Sequence, residues 1–181
     1  MSILAIRLYP DPVLRARSRE VTRFDAEFDK LVSDMIETMH AAPGVGLAAP
    51  QVGAASRLAD VDVSVGKEPQ ELHVLVNPEL VETEGAEIDA EGCLSLPGIT
   101  EKVERPTRIK VRALNRLGKP FELAAEGFLA RALCHEIDHL NGILFTDHLR
   151  GLRKERMKRQ LKRLASGAPA APADTTAEVR S

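Results

Sequence analysis

The chain has 181 residues, of which 44% are hydrophobic and 29% charged, with a formal net charge of −2. That length supports one domain with a proper core and is short for two, and the composition is that of a globular chain rather than a fibrous or disordered one. No run of about 18 apolar residues is present, which leaves no candidate for a spanning helix. Only two cysteines occur, Cys93 and Cys134, far apart. That is too few for a secreted domain built on disulfides, so reduced thiols in a cytoplasmic protein are expected. The opening residues lack a basic leader, a long apolar stretch and a small-residue cleavage site, so no signal peptide is expected.

In chain order, Asp25 is placed to cap a helix in which Phe28, Leu31, Val32, Met35, Ile36 and Met39 recur at helical spacing, up to Pro43-Gly44. Gly44 to Gln51 reads as a Gly-rich loop. Short β-like runs follow at 57–65, 72–77, 79–84, 87–95, 107–114 and 120–124, punctuated by Gly66, Asn77-Pro78, Pro97-Gly98 and Asn115 to Gly118. In the first run Leu58, Asp60 and Asp62 alternate with Ala59, Val61 and Val63, as in a half-exposed strand. A helix resumes near Glu126, with Leu129, Ala132, Leu133, Ile137 and Leu140 as its buried stripe and Asn141-Gly142 as its stop.

A further helix is expected over about 147–165, where Leu149, Leu152, Arg156, Leu161 and Leu164 form only a partial stripe, so that little of it is deeply buried. Residues 166–181, rich in Ala, Pro, Thr and Ser, are expected to form a disordered tail. Charge divides the same way. Residues 1–149 hold 16 basic and 24 acidic side chains, a balance of −8, whereas residues 150–181 hold 9 and 3, a balance of +6. An acidic body with a basic C-terminal arm points to an anionic partner for the arm. The expected fold is α+β, a single domain over 1–165 with mostly antiparallel strands around the central helix and a helix at each end.

The string His135-Glu136-Ile137-Asp138-His139 carries the most chemistry. On a helix, positions i and i+4 share a face, so both imidazoles can reach one cation, and Glu136 projects beside them. A divalent metal lowers the pKa of its bound water, and a neighbouring carboxylate can take up and return the proton. A catalytic site needs a third protein ligand. An extended His-x-x-Gly-x-x-His pattern is met at His139 and Gly142 but fails at Phe145. Glu155 stands among Arg153, Lys154 and Arg156, as an ion-paired surface residue would, and nothing in the spacing favours His148. Cys93, in Glu91-Gly92-Cys93-Leu94-Ser95, follows a glycine and precedes the turn Pro97-Gly98, and one thiolate with two imidazoles and a water is a known catalytic arrangement.

Three segments together resemble the peptide deformylase family: Gly44-Val45-Gly46-Leu47-Ala48-Ala49-Pro50-Gln51, Glu91-Gly92-Cys93-Leu94-Ser95 and His135-Glu136-Ile137-Asp138-His139-Leu140-Asn141-Gly142. The similarity runs from about Leu4 to Leu149. It implies a hydrolase that removes the N-formyl group from formyl-methionyl nascent peptides, with Cys93, His135 and His139 holding the metal and Glu136 as acid and base. Gln51 and the Leu94 N–H would bind the developing oxyanion, a role preorganised donors fill well. Gly44, Val45 and Gly46 would lie along an extended substrate peptide. The resemblance implies Fe2+ as the metal, with Zn2+, Ni2+ or Co2+ as substitutes, although softness alone would also suit zinc. It further implies docking of the basic C-terminal helix on the ribosome. Cys134 stands where the family commonly has Gln and is read as a packing residue, and Asp138 as a partner for an arginine such as Arg105. Two rival readings are a zinc protease using Glu155 or His148 as third ligand, and a non-catalytic adaptor presenting the basic arm to nucleic acid.

Overall fold

The computed structural model describes residues 2–42 and 44–167. Helix α1 (Ala26–Ala41) begins where Asp25 accepts a hydrogen bond from the Phe28 N–H, the cap expected from sequence. It ends at Ala41, just before Pro43, which lies outside the described residues. Seven strands follow: β1 (Gly46–Ala48), β2 (Leu58–Asp62), β3 (Leu72–Glu84), β4 (Glu87–Gly92), β5 (Thr100–Arg105), β6 (Arg108–Leu114) and β7 (Pro120–Glu126). Helix α2 (Gly127–Leu140) comes next, then α3 (Gly151–Ala165) after a 3-10 turn at Phe145–His148. The expected tail falls outside the described residues from 168 onward.

One antiparallel sheet has the order β1-β2-β3-β6-β7, and a separate two-stranded sheet pairs β4 with β5. α1 covers one face of the larger sheet, where Phe28, Val32, Met35 and Met39 meet Leu47, Leu58 and Val76. α2 covers the other, where Ala130, Leu133, Cys134 and Ile137 pack on Val61, Leu75, Ile109 and Val111. Because β4–β5 flanks α2 as well, the helix is buried almost all round from Ala130 to Leu140. This is the expected α+β arrangement, and Cys134 is a packing residue within it.

Several local expectations are corrected. The runs 72–77 and 79–84 form one strand, β3, whose register shifts between Val76 and Glu79. There Asn77, at φ 51°, uses its side-chain amide to bond both the N–H and the C=O of Val21. β4 ends at Gly92 rather than 95, and β1 and β5 were not foreseen. β2 is not half-exposed, since all five of its residues are buried between the two helices. The basic helix is anchored more deeply than its stripe implied: Met157 and Leu161 are buried against Leu96, Ile99, Val103 and Phe145, whereas Leu152 is exposed.

Burial of β2 has a thermodynamic consequence. Asp62 is satisfied, accepting from His40 Nε2 at 2.8 Å, from the Ser64 hydroxyl at 2.6 Å and from the Ser64 and Gly66 N–H groups. Asp60 is fully buried, and neither carboxylate oxygen has a partner among the described residues. Burial, and then the charge of Glu136, holds its pKa well above the usual carboxylate range. The favourable neutral form is fully present below the ordinary pKa of 3.8 and is lost as pH rises through the folded-state value. Asp60→Val is therefore expected to raise stability by ~1–3 kcal/mol at pH 8 and by less at pH 5. Urea unfolding of both proteins at the two pH values checks this, and a parallel pH response would show that the carboxyl is solvated.

Candidate active site

α2 places His135 and His139 one turn apart, and their Nε2 atoms lie 3.2 Å from each other. Cys93, just past the end of β4, brings its sulfur to 3.3 Å from His139 Nε2. These are the only three His, Cys, Asp or Glu side chains among the described residues whose ligand atoms cluster within 4.8 Å. The other third-ligand candidates are elsewhere: Glu155 is exposed and pairs with Lys158, and His148 bonds Asp138 and Arg105.

The cluster fits a cation. Bonds of about 2.0–2.1 Å to nitrogen and about 2.3 Å to sulfur around a tetrahedral ion leave its donors roughly 3.3–3.6 Å apart. His135 Nδ1 faces Glu91 Oε2 at 3.0 Å, which fixes a proton on Nδ1 and turns the Nε2 lone pair toward Cys93 and His139. Burial keeps His139 neutral, with its pKa well below 6.5. At His135 burial opposes the charge, but the Cys93 and Glu91 partners outweigh it and raise the pKa to about 10. Positive charge is thus favoured at His135 by its Glu91 and Cys93 partners, and disfavoured at His139 by burial and by His135 itself.

Glu136 stands beside them, buried, with one carboxylate oxygen lacking any partner among the described residues. Burial pushes its carboxyl up to about 7 against the pull of His135, a range suited to proton transfer near neutrality. Gln51 sits on a 3-10 turn (Ala49–Val52). Its Oε1 accepts from the Ala48 N–H at 2.8 Å, which directs Nε2 toward Ser95 Oγ at 3.3 Å and Cys93 Sγ at 3.5 Å. The Leu94 N–H has no acceptor among the described residues. Gln51, Cys93, Leu94, His135 and Glu136 border a cleft of about 470 Å³ that is also walled by Val45, Ile99, Phe128 and Arg131.

The glycines of the 44–46 loop serve a purpose not foreseen. A methyl group at Gly46 would stand 2.3 Å from Glu136 Oε1, and one at Gly44 would stand 2.9 Å from Leu94 Cδ1. The space they leave is taken by site residues. β1 is also the edge of its sheet, and Gly44, Val45 and Gly46 line the cleft.

Sequence reasoning gave Glu91 and Arg131 no role. Glu91 accepts from Arg105 Nε at 2.8 Å, Arg105 Nη2 at 3.0 Å and Arg131 Nη1 at 2.9 Å, in addition to His135. Asp138 does meet Arg105, at 2.6 Å. The available signal for Arg131 was its position four residues before His135, on the helix face that carries the histidines.

A metal-binding HExxH helix with a cysteine donor and an adjacent acid, set under an open cleft, is the arrangement of a metal-dependent hydrolase. The model of the polypeptide deformylase family matches residues 3–155. A peptide deformylase from Thermodesulfovibrio yellowstonii is 48% identical, over 90% of this chain and 98% of its own length. One from Alkaliphilus metalliredigens is 54% identical, over 82% of this chain and 98% of its own. The crystal structure of a peptide deformylase from Legionella pneumophila superimposes with a TM-score of 0.83 at 44% identity, covering 93% of this chain and all of that one. The chain belongs to the polypeptide deformylase family, metal-dependent hydrolases that remove the N-formyl group from nascent peptides.

Gly46→Ala tests the loop geometry. It is expected to leave a folded protein with its metal content unchanged, while displacement of the Glu136 carboxylate lowers formate release from a formyl-Met peptide at least tenfold, within the ~10²–10⁴-fold worth of a general acid–base group. Unaltered turnover would show that Glu136 does not need its present position.

Proposed function

We propose that Cys93, His135 and His139 hold one divalent cation, Fe2+ in the cell, and that Glu136, Gln51 and the Leu94 N–H act on the formyl group of an N-formyl-methionyl nascent peptide. The observation that carries this reading is the meeting of one thiol and two imidazole nitrogens from separate segments at 3.2–3.3 Å, beside a buried acid. Iron rests on the family resemblance, and the same donors accept Zn2+, Ni2+ or Co2+. When bound, such a cation lowers the pKa of water and polarises a carbonyl oxygen.

The chain's own groups do the rest. Glu136 takes a proton from the attacking water as the carbon–oxygen bond forms, and returns it to the methionine amine as the carbon–nitrogen bond breaks and formate leaves. Gln51 Nε2 and the Leu94 N–H donate to the formyl oxygen as it gains charge, each worth roughly 3–4 kcal/mol at the transition state. The Gly44-Val45-Gly46 edge takes the peptide backbone as an added strand, and Phe128 and Ile99 border its side chains. Residues 1–165 act as one catalytic domain, a reading supported by the packing of α3 on the core.

Cys93→Ala is expected to fold but to lose stoichiometric metal, whereas Glu136→Gln keeps the metal and loses ~10²–10⁴-fold in turnover. Metal analysis beside a formate assay separates the two. Metal retained by the cysteine variant, or a loss below tenfold in the glutamine variant, refutes the corresponding role.

The enzyme works in the cytoplasm, where its substrate is made; in keeping with this, no described helix is long and apolar enough to cross a membrane. The basic face of α3 docks on ribosomal RNA. Because Met157 and Leu161 belong to the core, removing the helix would confound that test. Replacing the exposed Lys154, Arg159, Lys162 and Arg163 with Gln is the cleaner probe. It is expected to abolish ribosome co-sedimentation at low salt and to leave kinetics on a short peptide unchanged. Undiminished co-sedimentation overturns the docking role.

A further inference from the structure

We infer that Arg131 is a positioning residue for the metal site: it fixes the wall that carries Cys93 against the helix that carries His135 and His139. This rests on the ligand reading proposed above. Cys93 follows β4, and β4 pairs only with β5, in a sheet that shares no ladder with the five-stranded one. No backbone hydrogen-bond ladder therefore sets the distance from the sulfur to the imidazoles. Side chains must set it, and a cation tolerates errors of only about 0.2 Å in its donor distances.

Arg131 spans that gap from α2. It lies one turn before His135 and is 5% exposed. Nη1 donates to Glu91 Oε1 at 2.9 Å, to the Val103 carbonyl at 2.9 Å and more weakly to the Asp89 carbonyl at 3.4 Å, while Nη2 donates to the Glu87 carbonyl at 2.9 Å. One guanidinium thus grips β4 along its length and reaches across to β5. Arg105 provides a second tether but starts from β5 itself, and it joins the wall to α2 only through Asp138. A planar fork with five donors can hold several carbonyls at fixed angles, which the single ammonium of lysine cannot do. Arg131 meets Glu91 at Oε1 and His135 meets it at Oε2, so loss of Arg131 removes a hold on the wall and its sulfur without deleting the partner of the histidine.

The test uses the full chain with Arg131→Met and Arg131→Lys. Zinc affinity is measured by competition with a chromophoric chelator, and the thiolate-to-cobalt absorption band is recorded on the cobalt-loaded protein. Arg131→Met is expected to weaken zinc binding 10–100-fold, the usual effect of removing support from a ligand, and to weaken the cobalt band. Arg131→Lys is expected to lie between it and the parent. A variant that loses thermal stability yet keeps parental zinc affinity and cobalt band would show Arg131 to be merely structural and overturn the inference. Where the methionine variant does not fold, the lysine variant decides, and parental affinity in it has the same consequence. Parental zinc affinity in Cys93→Ala would instead overturn the ligand reading itself.

Discussion

A carboxylate taken out of water keeps its charge only if donors replace the hydration it loses. Glu91 is buried at 6% exposure, and burial alone would raise its pKa, yet His135 and Arg105 bring it down to about 2. Around it the charges balance: Glu91 and Asp138 face Arg105 and Arg131, all but Asp138 nearly inaccessible. Removing one member of such a set leaves an uncompensated buried charge, at a cost of ~3–5 kcal/mol, which makes the network rigid rather than merely favourable. Through it the β4–β5 wall, the central helix and the first histidine are fixed relative to one another.

The two sides of α2 are therefore held by different physics. Toward the five-stranded sheet, Ala130, Leu133 and Ile137 pack on aliphatic residues, where close packing resists any change of volume. Toward the two-stranded sheet, directional hydrogen bonds and ion pairs dominate. The histidines and Glu136 lie at the boundary between these regimes. Apolar packing keeps the helix from shifting, and the polar contacts aim its reactive atoms. Gly46 shows how little slack remains, since the Glu136 carboxylate already occupies the space a methyl group there would need.

Much of this was legible in the sequence. The HExxH spacing, the cysteine before a turn and the α+β order all carried through to the folded chain, and Asp25 caps its helix as its position indicated, whereas most of the expected Gly-rich loop became β1 and a 3-10 turn. What escaped notice was hidden by the same electrostatics. β5 turns Glu101, Val103 and Arg105 inward, so ion-paired side chains stand where an alternating apolar pattern would have announced a strand. β1 has three residues, too few for any periodicity to register. Asp60 looked like an outward-facing position because nothing local reveals that a second helix will cover that face. Met157 was passed over beside Arg156, since a stripe shifted by one residue is hard to place within a run of basic side chains.

The separation of Cys93 from His135 and His139 along the chain bears on how this protein matures. Synthesis proceeds from the N-terminus, so the thiol leaves the ribosome well before either imidazole, and for that interval it has no cluster to join. The sulfur and the nitrogens meet only once α2 is docked between the two sheets. If these three donors hold the metal as proposed, its acquisition follows that docking, and the binding free energy adds to the stability of the completed fold. On that reading the protein would acquire its chemistry and its final rigidity in the same step.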